Sequence, residues 1–166
     1  MGRDKARLPF RGGNLINAVS REVERAAGSV TIVGHPNLPG IPDLYPGEGP
    51  LGGILTALHH TSTDWNLIVA CDMPDVTEVF LAALVRAGLQ SPAAVVLPHG
   101  PDGLPQPLCA LYRRNALPVM LGHFHRGVRK VTAALDGLPV EPLEVAQLSI
   151  FQNVNTPEDW AGYAPK

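Results

Sequence analysis

The chain has 166 residues, enough for one domain with a hydrophobic core and too few for two ordinary ones. Thirteen Lys and Arg against fifteen Asp and Glu leave a net charge of -2 without a basic run, which argues against a nucleic-acid coat. A hydrophobic share of 45% excludes global disorder, and no apolar run approaches the roughly 20 residues of a bilayer span. The charged start Met1-Gly2-Arg3-Asp4-Lys5 carries no export signal, so the expected location is the cytoplasm, away from any membrane. Glycine and proline, 17 of each, are expected mostly in loops. Cys71 and Cys109 have no C-x-x-C partner and are expected as buried small hydrophobes.

Leu15, Ile16, Val19, Val23 and Ala26 recur at helical spacing, with Asn14 as cap and Gly28 after the last turn. Val30 to Val33 is a branched run that predicts a strand, and the five prolines between His35 and Pro50 predict a long loop. Leu51 to His60 reads as a helix, Trp65 to Ala70 as a buried strand, and Thr77 to Arg86 as a helix ending at Gly88. Ala93 to Leu97 repeats the buried-strand pattern, and this alternation implies a mainly parallel sheet covered on both faces. Next come a Gly/Pro loop from His99 to Gln106, a strand from Leu108 to Tyr112, and helices over Ala116 to Phe124 and Lys130 to Leu135. A strand is expected near Ser149 to Val154, then a helix capped by Thr156 with Pro157 in its first turn.

In an open parallel sheet, ligands gather beyond the carboxyl ends of the strands. Asp72 follows such a strand, and a carboxylate there suits magnesium bridging a nucleotide's phosphates; capping the next turn is the equally weighted alternative. Asp75 reads as a turn or cap residue. Gly49-Pro50-Leu51-Gly52-Gly53 opens a helix, where glycine admits either a ligand close to backbone N–H groups or, more commonly, a tight packing contact. Lys5 is a flexible ammonium able to offset phosphate charge, although a lone lysine is usually a solvated surface group. His123 and His125 fall on different faces of a helix, which discounts a metal site, and His59 and His60 suit a helix C-terminus.

Met1-Gly2-Arg3-Asp4-Lys5, Gly49-Pro50-Leu51-Gly52-Gly53, Ala70-Cys71-Asp72-Met73-Pro74 and the run from Phe151 to Asp159 occur in this order at compatible spacing. In that combination the chain resembles the molybdenum cofactor guanylyltransferases, from Met1 to Trp160. The resemblance implies an α/β fold, a Rossmann-like three-layer sandwich with a mainly parallel central sheet, formed by residues 1–166 as a single nucleotidyltransferase domain. It implies transfer of GMP from GTP to a molybdopterin-type acceptor with Mg²⁺ as cofactor, and transient contact with molybdoenzymes or other cofactor-biosynthesis proteins. A related cytidylyl or sugar-phosphate transferase and a non-catalytic nucleotide-binding protein are the alternatives.

By the same resemblance, Lys5 contacts the nucleotide phosphates and Asp43 helps hold the guanosine. Asp72 binds metal and nucleotide, and Asn155 lies where relatives place a second metal ligand. Gln106, Pro107, Leu108, Gly127, Arg129 and Asn153 match acceptor-side segments. Two departures stand out. The family begins with a strand and a glycine-rich phosphate loop, whereas this chain starts at that loop's last Met-Gly. The family's first strand, central between Val30–Val33 and Trp65–Ala70, is thus expected to be missing, and Met1 is expected not to be the natural start. The other departure is Gly34, which stands where some relatives carry an asparagine near the base.

Overall fold

Residues 9–10 and 13–154 are described in the computed structural model of the chain. Two short strands, β1 (Pro9–Phe10) and β2 (Gly13–Asn14), pair antiparallel and lead into helix α1 (Leu15–Ala27). The Asn14 side chain accepts the Asn17 N–H at 2.9 Å, and Gly28 closes the helix in the left-handed region at φ 81°, its N–H returning to the Glu24 carbonyl. Leu15, Ile16, Val19 and Val23 form the buried stripe.

The strand expected at Val30 to Val33 does not form. Val30 and Thr31 are exposed, and only Val33 makes a single parallel bridge, to Ile41. The branched run has folded onto its own loop: Ile41 donates to the Ile32 carbonyl and accepts from Gly34, both at 2.9 Å. Gly40 permits that approach, since a Cβ there would lie 2.1 Å from the Ile32 oxygen. Strand propensity without a neighbouring strand leaves a residue's N–H and C=O to whichever local partner is nearest.

Helix α2 (Gly49–His60) starts with Pro50 in its first turn and precedes β3 (Trp65–Val69). Helix α3 (Glu78–Gln90) is capped by Thr77, whose hydroxyl accepts the Phe80 N–H. It runs through Gly88 instead of ending there. A Cβ on Gly88 would meet Leu111 Cδ1 at 2.7 Å, so this glycine marks a close helix-to-sheet approach. Next come β4 (Val95–His99), β5 (Cys109–Arg113), a 3-10 turn and helix α4 (Leu117–His125).

The helix expected over Lys130 to Leu135 is a 3-10 turn at Thr132–Leu135. Strand β6 (Val140–Glu144) had no expectation attached to it, because Pro142 breaks its pattern. A proline is tolerated on this edge strand, which pairs only with β4 among the described residues. Near Ser149 to Val154 a 3-10 turn at Leu148–Phe151 replaces the expected strand. The helix expected from Thr156 lies outside the described residues.

The sheet order is β3-β5-β4-β6. Strands β3, β4 and β6 run one way and β5 alone opposes them, so the pairings are mixed where a mainly parallel sheet was expected. The cause is the Gly/Pro loop between β4 and β5, which turns the chain back without a crossover helix; the link through α4 then carries the chain from β5 past β4 to β6 on its other side. Alternate residues serve opposite faces. Val95, Leu97, Ala110 and Tyr112 pack with α2 and α4; Cys109 packs with α1 and α3, and Val96 and Leu111 with Leu84 of α3. The three-layer α/β arrangement stands as expected.

Candidate functional site

Pairing between β4 and β5 stops after Val96. Two residues on, Pro98 has no N–H to continue the ladder, and its carbonyl instead accepts the Gln106 N–H at 2.8 Å. The strands splay there, and the loop carrying Gln106 and Pro107 fills the gap at the carboxyl ends of β3 and β4. The Pro107 carbonyl takes the Tyr112 hydroxyl at 2.7 Å, and the Gln106 amide donates to the Leu104 carbonyl at 3.4 Å. Burial, and secondarily the Cys109 charge, push the Tyr112 phenol well above its ordinary range, so it stays a hydrogen-bond donor.

The chain leaving β3 is pinned to the same loop, because Ala70 donates to the Leu108 carbonyl at 2.7 Å. Met73 and Val76, both buried, anchor the next turn in the core, leaving Asp72 half-buried at the sheet edge. The Asp72 carbonyl accepts the Val154 N–H at 3.0 Å. The segments of Asp72, Leu108 and Val154 are thereby tied to one another by backbone hydrogen bonds. Lys5 and Asn155 lie outside the described residues.

Helix α2 returns to β3 through residues 61–64. In the loop before α2, Asp43 is held firmly. Its Oδ1 accepts the Tyr45 N–H at 2.9 Å and the Thr56 hydroxyl at 2.8 Å, while the Thr56 oxygen accepts the Leu44 N–H at 3.0 Å. Gly34, at φ 72°, lies against the same carboxylate; a Cβ there would stand 3.2 Å from Asp43 Cβ and 3.7 Å from Oδ2.

Of the motif's glycines, Gly52 is a packing contact, since a Cβ would come within 2.9 Å of the Tyr45 carbonyl, whereas Gly53 has open space. Arg129 reaches the start of α2 at Glu48. Its guanidinium pairs with Glu48, donates to the Phe124 and Val128 carbonyls, and lies 4.1 Å over the Phe124 ring, which packs on Tyr45 at 4.8 Å. Arg129 and Asp43 are thereby linked through Phe124 and Tyr45. Gly127, at φ 91°, makes the turn that sends Arg129 back along α4.

Thr56, Tyr45, Glu48 and Phe124 carried no expectation. Thr56 alone left a trace, as the one hydroxyl on the buried stripe of Leu51, Ile54, Leu55 and Leu58. Among the described residues no group of three or more His, Cys, Asp or Glu side chains is placed to hold a metal, and His123 instead contacts the Asp136 carbonyl at 3.0 Å. Asp72 is one carboxylate, the complement from which Mg²⁺ is commonly bound when substrate phosphates supply the rest. The donor set fits that kind of shared site. Cys109 is buried as expected; Cys71, also expected to be buried, is exposed, in the turn two residues past the end of β3. No described helix is long and apolar enough to cross a membrane.

Residues 1–138 match the model of the MobA-like NTP transferase domain. A protein of a Nostoc species named probable molybdenum cofactor guanylyltransferase is 34% identical, the alignment covering 97% of this chain and 83% of that one. The molybdenum cofactor guanylyltransferase of Vibrio atlanticus is 30% identical over 95% of this chain and 85% of its own. Molybdopterin-guanine dinucleotide biosynthesis protein A from Archaeoglobus fulgidus superimposes with a TM-score of 0.79 at 26% identity, over 98% of this chain and 89% of that one. The 2-C-methyl-D-erythritol 4-phosphate cytidylyltransferase of Thermus thermophilus shares the fold, with a TM-score of 0.74 at 17% identity over 96% of this chain and 91% of that one.

Proposed function

The chain belongs to the MobA-like NTP transferase family, and from that premise we propose that it transfers GMP from GTP to a molybdopterin-type phosphate. An oxygen of the acceptor phosphate forms a bond to the α-phosphorus as the bond to the β-phosphate oxygen breaks, and pyrophosphate leaves. No covalent enzyme intermediate is needed, so catalysis is positioning plus electrostatics. The observation that carries the reading is the setting of Asp72: its carbonyl accepts the Val154 N–H, and two residues earlier the Ala70 N–H ties the end of β3 to the Leu108 carbonyl, next to Gln106 and Pro107.

Asp72, with Asn155, is the proposed holder of Mg²⁺, which supplies positive charge at the phosphates when bound. Lys5 adds a point charge to the nucleotide phosphates, and Asp43 accepts a hydrogen bond from the nucleoside. Gln106, Pro107, Arg129 and Asn153 form the acceptor side. Here the Pro107 carbonyl and the Arg129 guanidinium already have partners in the protein, so Pro107 shapes the wall and Arg129 presents its exposed edge. The proposed setting is the cytoplasm, with transient handover to molybdoenzymes or other cofactor-biosynthesis proteins.

Isothermal titration with GTP and Mg²⁺, followed by a pyrophosphate-release assay with a molybdopterin acceptor, tests the reading. Asp72→Asn is expected to keep the melting temperature and lower turnover by about 10² or more. Unchanged turnover at saturating Mg²⁺ overturns the role of Asp72. Equal use of GTP, CTP and ATP replaces the guanylyl reading with a broader nucleotidyltransferase, and binding without turnover makes the protein a nucleotide carrier.

A further inference from the structure

Thr56 is fully buried in a helix whose other inward positions are apolar, and its hydroxyl is spent entirely on the loop that carries Asp43. It donates to Asp43 Oδ1 at 2.8 Å and accepts the Leu44 N–H at 3.0 Å. The Tyr45 N–H, at 2.9 Å, is a second donor to the same Oδ1. Each carboxylate oxygen offers about two in-plane acceptor sites, so Oδ1 is saturated by the protein itself. Oδ2 is the oxygen turned toward Gly34, which has no side chain to stand beside it.

We propose that Thr56 is a positioning residue for nucleoside recognition, locking Asp43 so that Oδ2 alone is presented over Gly34 to one N–H donor of the purine. This rests on the reading of Asp43 as a nucleoside contact and narrows it. The two adjacent donors of guanine cannot share both carboxylate oxygens side by side, because one is committed inward. The asymmetry also gives Gly34 a reason: any side chain there would lie beside Oδ2, and its positive φ already disfavours one.

The test is GTP binding by titration calorimetry with Mg²⁺ present, on the full chain. Thr56→Val removes the hydroxyl at nearly constant volume and is expected to weaken GTP about tenfold, the scale of one hydrogen bond to a charged group. Turnover at saturating GTP is expected within twofold of the parent, and affinity for inorganic tripolyphosphate unchanged. Thr56→Ser is expected to restore GTP affinity. In an Asp43→Asn background, Thr56→Val is expected to add little, because both act through one carboxylate.

An unaltered GTP affinity in Thr56→Val, or additive losses in the double variant, overturns the positioning role. Equal weakening of GTP and tripolyphosphate does the same, since it marks a general structural effect. Should Thr56→Val fail to fold, Thr56→Ala is read by the same criteria. If Asp43→Asn leaves GTP binding intact, the nucleoside reading of Asp43 itself falls, an outcome distinct from failure of Thr56 alone.

Discussion

Strands β3 and β4 are both five residues long and apolar in sequence, yet their surroundings differ. The first four residues of β4 are buried between β5 and β6, whereas every residue of β3 is only half-buried. Among the described residues β3 pairs on one side, with β5, and the segment from Val30 to Val33 makes no ladder beside it. Leu67 and Val69 pack toward α1 and α3, and Ile68 toward the α2 side, so both faces are covered and the flank without a described neighbour is lateral. An apolar run thus reports that a strand belongs to a sheet; its depth is set by how many strands flank it.

The sharpest way to break that contrast is truncation. Leu111 on β5 is buried against Leu84 and Val96, so Leu111→Ala is expected to cost about 2 to 5 kcal/mol in urea unfolding. Ile68→Ala on β3 is expected to cost about 1 to 2, because its side chain keeps solvent contact in the folded state. Equal losses would erase the distinction between interior and rim.

Alkaline titration probes the same contrast through the thiols. Burial pushes Cys109, on β5, from 9.0 up to about 12. A folded-state pKa raised above the unfolded value gives stability that is present below pH 9 and lost as pH climbs toward 12. About 1.4 kcal/mol should be gone by pH 10. The raised Tyr112 phenol steepens the decline at higher pH. Cys109→Ala should remove the early part of the slope; a stability flat from pH 8 to 10 in the parent would contradict this.

The smallest effect is a stoichiometry. In the native protein at pH 8, one of the two thiols is expected to react promptly with an aromatic disulfide reagent, namely exposed Cys71, and the second only after unfolding. Prompt reaction of both would mean that β5 is no more protected than the rim where β3 ends.

Helix α1 was legible from residues within it and at its two ends, Asn14 and Gly28, because capping and amphipathic spacing act over a few residues. The Asp72 turn was legible for a similar reason: an apolar run ending in Asp and Pro marks a strand end wherever the strand lies. Val30 to Val33 misled, since branched residues favour a strand only when another strand is there to pair with. Strand β6 was obscured by Pro142, whose missing N–H costs nothing on a side with no described neighbour. Gly88 looked like a helix end because glycine breaks helices locally, while its cause, Leu111, lies across the layer.

The candidate site divides along the same line. Asp43, Asp72, Gln106 and Arg129 were recognisable as residue types in motif context. What places them is tertiary: Pro98 splits the β4–β5 ladder and takes the Gln106 N–H, and the Tyr45–Phe124 contact joins the loop of Asp43 to Arg129. Thr56 stands out in the sequence only as a lone hydroxyl among apolar neighbours; its role was not legible, because it acquires its partner only when a loop 13 residues earlier closes over it. Composition and short-range spacing determine the class of each element and the chemistry it carries. Which oxygen of a carboxylate is left to meet a ligand is decided by packing, since hydrogen bonds act over about 3 Å and only the folded chain brings their partners within that distance.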